Sequence, residues 1–192
     1  GAGVSREDAV GRMAQDILDR LQKRGQFDIQ AISMQYPVVY EESMNTVLVQ
    51  ECIRYNRLIE EMEKTLPDLL LALQGLVVMS ADLEEMVAKL SLQLIPPMWE
   101  AKAYPSLKPL AAWVDDLMLR LDFILQWVKQ GIPFVFWISG FYFPQAFLTG
   151  TLQNFARKHQ IPIDTVNFDF ILLDASWESL ASKPQDGVYV RG

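Results

Sequence analysis

The sequence predicts a mainly α-helical bundle followed by a small, incomplete β portion, and three observations carry that prediction. Apolar residues recur at helical spacing in run after run as far as about Gln130. Residues 131–156, GIPFVFWISGFYFPQAFLTGTLQNFA, then hold much of the aromatic content and no charged side chain. Beyond them the pattern changes to short runs rich in β-branched and aromatic residues. Residues 1–130 are therefore read as a helical part of one fragment and residues 131–192 as a mixed α/β part.

Each element has a local reason. Ser5, with Asp8 three positions on, reads as an N-cap, and Val10, Met13, Ala14, Ile17, Leu18 and Leu21 keep helical spacing up to a stop at Gly25. A short helix follows over Asp28–Tyr36, ended by Pro37. A third starts near Glu41 or Glu42 and runs to about Lys64, with Met44, Leu48, Cys52, Tyr55, Ile59 and Met62 as its buried stripe. Pro67–Val78 is expected to be a separate helix, apolar nearly all round and hence central. Ser80 caps the next, Ala81 to about Leu92. Four prolines make residues 95–109 a loop packed by Trp99 and Tyr104, and Pro109 opens a long amphipathic helix to Gln130. Its buried face is Leu110, Trp113, Val114, Leu117, Leu121, Ile124, Leu125 and Val128, with Arg120 among the residues expected mostly opposite.

The uncharged stretch is long enough to raise a membrane span, which needs roughly 20 apolar residues. Pro133, Gly140 and Pro144 break any single helix there. Phe134–Ile138 is expected as a buried strand, Gly140–Pro144 as a turn, and Pro144 as the first position of a helix to about His159. Ile161–Asp164 reads as extended, Val166–Leu173 as a strand, and Val188–Val190 as a second strand with no partner after it, as though the rest of a sheet were missing.

Composition narrows the function. A formal charge of −7 and a pI near 4.7, with no clustered basic surface, speak against a nucleic-acid partner. Cys52 is the single cysteine, so no intramolecular disulfide forms and a reducing compartment is the plain reading. No secretory leader pattern opens the sequence.

Catalytic chemistry is scarce. His159 is the single histidine and sits after Arg157 and Lys158 in the last turn of a predicted helix, where cations complement the dipole. Cys52 lies on an apolar stripe without an identifiable base. Adjacent carboxylates at Glu41/Glu42, Glu60/Glu61, Glu84/Glu85 and Asp115/Asp116 diverge by about 100° on a helix and read as solvated faces. Phe170–Asp174 looks like a strand ending in a Mg²⁺-positioning aspartate, but no phosphate-cradling G-x-x-x-x-G-K-[ST] loop accompanies it. No catalytic, cofactor-binding or metal-ligating residue is assigned, and no cofactor is expected.

The segments Pro97-x-Trp99, Ala103-Tyr104-Pro105-Ser106-Leu107-Lys108-Pro109-Leu110, Trp113, Asp116-Leu117, Phe123, Trp127, Gly131-x-Pro133 and Phe136 to Thr149 resemble, in residues and spacing, the C-terminal region of dynein heavy chains. Gln153–Lys158 and Ile161–Asp164 are more similar to the axonemal, inner-arm branch than to the cytoplasmic one. The resemblance implies a non-catalytic domain that packs on the AAA+ ring of an ATP-driven microtubule motor and braces or regulates it. It further implies that 131–192 leads into an antiparallel, barrel-like β subdomain, truncated here. The implied partners are AAA+ modules of the same heavy chain, with intermediate and light chains and microtubules around the parent complex, in the cytoskeleton of the ciliary axoneme. Neither nucleic acid nor membrane is expected as a partner. Two other readings stand beside it. One is a free-standing helical interaction module that takes an amphipathic partner helix. The other is a small hydrolase or ligand carrier with Trp99, Trp113, Trp127, Trp137, Phe141 and Tyr142 lining a pocket.

Overall fold

The computed structural model describes residues 3–192. In sequence order the elements are α1 (Arg6–Arg24), α2 (Ile29–Gln35), α3 (Ser43–Leu73), α4 (Ala81–Ser91), the short α5 (Pro97–Glu100), α6 (Leu110–Gln130), β1 (Val135–Trp137), α7 (Pro144–His159) and β2 (Tyr189–Arg191). The fold is mainly α, as the periodicity predicts. Helix starts follow cap chemistry: Ser5 Oγ accepts from the Asp8 N–H at 3.1 Å, Asp28 Oδ1 from Ala31 at 3.0 Å and Ser80 Oγ from Leu83 at 3.2 Å. No helix among the described residues is long and apolar enough to cross a membrane.

Two compact units divide the molecule, Gly1–Phe27 with Arg54–Met118, and Asp28–Ile53 with Leu119–Gly192, the boundaries falling inside α3 and α6. In the first unit α1 packs on α4. Its aromatic core stacks Trp99 on Trp113 and Trp113 on Tyr104, each at 6.2 Å between ring centroids, and Trp99 Nε1 donates to Thr65 Oγ1 at 2.8 Å. The proline-rich loop is therefore packed by Trp99 and Tyr104 as expected, although Pro97–Glu100 within it closes one helical turn. In the second unit Phe136, Phe141 and Phe147 meet face to face or tilted, with Phe141–Phe147 at 4.6 Å and Phe136–Phe147 at 4.7 Å, and Trp127 packs edge-on to Phe136 at 5.4 Å.

The helical part departs from expectation in its third helix. Pro67 does not break the helix: the 31-residue α3 runs on through it to Leu73. Leu66 and Leu69 on either side are fully buried, so packing outweighs the roughly 3 kcal/mol that an interior proline costs. The real stop is Gly75 at φ 76°, where Leu76 N–H donates back to the Leu71 carbonyl at 3.0 Å. Leu71, Leu76, Val77 and Val78 are consequently exposed rather than central. Of residues 161–164, Pro162 is extended as expected, but Ile163 and Asp164 enter a 3-10 turn, Ile163–Thr165.

The β portion differs most. Val166–Leu173 is not a strand, because no strand among the described residues runs beside it and a strand without a hydrogen-bonded neighbour has nothing to hold it. The sheet has two strands, and they are parallel, not antiparallel: Val135 pairs with Tyr189, Phe136 with Val190 and Trp137 with Arg191. The C-terminal strand, expected to lack a partner, thus has one in β1. The connection through α7 is long enough for the crossover that a parallel pair requires. No barrel closes among the described residues.

Candidate functional site

The aromatic stretch is held in place by two buried charged groups that sequence reading did not single out. Glu51 of α3 is fully buried, and its carboxylate accepts the Tyr142 N–H at 2.7 Å and the Phe143 N–H at 3.1 Å. Those amides lead into α7, so the anion from a distant helix caps an N-terminus that Phe143 itself leaves uncapped. Arg120 of α6, expected on a polar face, is 9% exposed and donates from Nη1 to the Phe141 carbonyl at 3.1 Å. Helical spacing held the signal in both cases. Glu51 is three residues after Leu48 and four before Tyr55, and Arg120 stands in the same relation to Leu117 and Ile124.

Two glycines allow the close packing. A Cβ on Gly140 would sit 2.4 Å from Trp137 Cε3, and one on Gly150 would sit 2.7 Å from Met44 Cε. A polar cluster ties the start of α3 to α7: Asn154 donates to Glu42 at 2.7 Å and accepts from the Ser43 N–H at 2.9 Å, while Arg157 donates to Ser43 Oγ at 2.7 Å. Glu42 is thus a bonded group rather than part of a solvated face, whereas Glu84 and Glu85 are both exposed.

The residues with catalytic potential are scattered. Burial, chiefly, and then the charge of Glu51 push the Cys52 thiol up to about 12, which removes it as a nucleophile. His159 faces Asp186 at 2.7 Å in an exposed pair, beside Lys158 at 2.9 Å. These contacts, the His159 bond foremost, hold the Asp186 carboxyl below its usual range. Asp174 lies on an exposed bend. Among the described residues no cluster of three or more His, Cys, Asp or Glu could hold a metal ion. The six aromatics considered as a pocket do not converge on one. Trp99 and Trp113 belong to the first unit's core, and Trp127 and Phe141 are buried in the second.

What remains is surface. An open groove of about 770 Å³ beside β1 is walled by Phe134, Trp137, Trp177 and Arg191, and Arg191 stacks over Trp177 at 4.4 Å and Trp137 at 5.3 Å. Phe170, Ile171, Leu172 and Leu173 are exposed in a row, Leu172 almost completely. Exposed apolar patches on folded domains are often sites of interaction.

The family model for the C-terminal domain of the dynein heavy chain matches residues 1–192, the full length of the sequence. The chain belongs to that family. It is 57% identical over 187 residues to human dynein axonemal heavy chain 1 and 56% identical over 190 residues to the mouse form, covering 97% and 99% of this chain but 4% of each relative. Against human dynein axonemal heavy chain 3 it is 48% identical over 192 residues, all of this chain and 5% of the relative. The chain therefore spans about one-twentieth of the length of these axonemal relatives. The resemblance carried by the aromatic block is borne out, and the segment is a C-terminal domain rather than an ATPase module. The stacked Trp99, Tyr104 and Trp113, and the block that Glu51 and Arg120 fasten, are the cores of that domain's two units.

Proposed function

We propose that this domain is a bracing and regulating element of an axonemal dynein heavy chain, docked on the AAA+ ring of an ATP-driven microtubule motor for ciliary motility. Its own catalytic activity is nil. Its direct partner is the remainder of the same heavy chain, and through it the intermediate and light chains and microtubules. The observation that carries this reading is the exposed apolar row Phe170–Leu173, since covering each such side chain gains about 1.5–3 kcal/mol and an interface is the ordinary use of that gain. Support also comes from the exposed Leu76, Val77 and Val78 on the other unit. In this reading the row from residue 166 onward is covered by heavy-chain β structure, which completes the barrel-like subdomain that the resemblance implies.

The test is made in the heavy chain. Replacing Ile171 and Leu172 by Asp should alter microtubule-stimulated ATP hydrolysis or gliding velocity while the 192-residue chain alone releases no phosphate from ATP. Unchanged motor kinetics, or ATP hydrolysis by the isolated chain, would sink the proposal. An antibody raised to this segment should mark a very large polypeptide in axonemal fractions of ciliated tissue. A band near 21.9 kDa would instead point to a free-standing interaction module.

A further inference from the structure

The segment after α7 is held very differently from the helices. No residue from 161 to 192 is buried, and the arm leaves α7 through Gln160 in a left-handed conformation at φ 53°. It returns over one wall of a cleft of about 160 Å³, supplying Lys183, Pro184 and Val188 opposite Phe134, Phe136 and Phe155. Among its fastenings to the rest of the unit are the three-residue parallel pairing of β2 with β1, the packing of the Ile163–Thr165 turn on α7, the Arg191 stack on Trp137, and one carboxylate. A parallel pair of three residues is marginal by itself. The carboxylate is Asp186, whose Oδ1 receives Lys158 Nζ at 2.9 Å and His159 Nε2 at 2.7 Å, while Lys158 also donates to the Gln185 carbonyl. Gly187, at φ 73°, then turns the backbone into β2.

We propose that residues 161–192 form a hinged strap closed over this cleft, and that Asp186, seated on the last turn of α7, is the charge-controlled clasp that keeps β2 in register on β1. The charged groups around the clasp are Lys158 and His159 from α7, Lys183 and Asp186 from the arm, and Glu42 at the entry to α3. Opening the clasp frees the strap as a unit about Gln160 and uncovers the apolar wall of the cleft, without unfolding α7. The inference stands on this geometry and does not depend on the docking partner proposed above.

Amide hydrogen exchange in the 192-residue chain tests it. In D186N the amides of Val188–Arg191 should exchange about tenfold faster or more than in the wild type, because local opening then needs less free energy. Amides of Phe147–Ala156 in α7 should keep their wild-type rates. D174N, which neutralises an exposed bend, is the control and should change neither set. The exchanged pair K158D/D186K should recover part of the protection that D186K alone loses. Equal exchange of Val188–Arg191 in D186N and wild type would overturn the proposal. So would acceleration that extends equally through α7, since the carboxylate would then support the unit and not a strap.

Discussion

Gly140 and Gly150 both sit where a methyl group collides, yet the two collisions differ in what can yield. At Gly140 the obstacle is the Trp137 ring three residues away, a rigid flat group met at three ring atoms. Gly140→Ala is expected to cost about 1–3 kcal/mol by overpacking, read as a lower urea midpoint. At Gly150 the nearest atom is the terminal methyl of Met44, which can swing aside. There the helix-propensity gain of Ala over Gly, about 1 kcal/mol, offsets the shift, so Gly150→Ala should change the midpoint little. A similar or larger loss at Gly150 would show that Val47, 3.3 Å from the same point, rules the site. Cys52 gives a pH-dependent readout. With its folded value raised to about 12, the thiolate forms at pH 8–9 in the unfolded chain alone. Its contribution to stability is therefore complete below the ordinary thiol value and falls as pH rises through it. Labelling by a disulfide reagent at pH 8 should be slow and should accelerate with added urea. Rapid labelling in buffer would contradict the burial. Asp186 has the opposite sign: its lowered carboxyl contributes above the usual carboxylate range of about 4 and stops contributing as pH falls through its folded value. Protection of Val188–Arg191 should thus drop in acid as the Asp186 carboxylate is protonated.

The helices illustrate how packing selects among local preferences. α3 carries Pro67 in its interior, so the Glu63 carbonyl has no amide to accept from at that position. The turn is held by buried Met62, Leu66 and Leu69 and by Thr65 Oγ1, which donates to the Glu61 carbonyl at 2.8 Å. Pro67→Ala should restore one helical hydrogen bond and raise stability by about 1–3 kcal/mol, measured by chemical denaturation. A loss of stability would mean that the helix is bent at Pro67 and that the bend is needed for packing. The buried stripe Met44, Leu48, Cys52, Tyr55, Ile59, Met62 was legible from spacing and is buried at every position. The strand at 166–173 was not, because its residues have strand preference but no neighbour to pair with. Preference of that kind is set by pairing and burial more than by the backbone itself.

Across the whole molecule, the exposed apolar row and the acidic balance of −7 bear on solution behaviour. Leu172→Asp should leave the unfolding free energy within about 0.5 kcal/mol, as for a surface position, while reducing self-association in light scattering and binding of a hydrophobic dye. Marked destabilisation would instead show that Leu172 packs within the domain. By itself the sequence determined the mainly helical class, the capped starts at Ser5 and Ser80, the buried faces and the family, because each is written in short-range spacing or in a contiguous aromatic block. Tertiary structure decided the rest. Whether Pro67 ends a helix depends on what packs against Leu66 and Leu69. Whether a β-prone run becomes a strand depends on an edge supplied from elsewhere, which Val188–Val190 finds in β1 and Val166–Leu173 does not find among the described residues. Glu51 and Arg120 acquire their roles from the turn at 140–143, brought to them from some twenty to ninety residues away. Local spacing encodes which face of a helix is buried; the partner on that face is fixed when distant segments meet and their polar groups must be satisfied together.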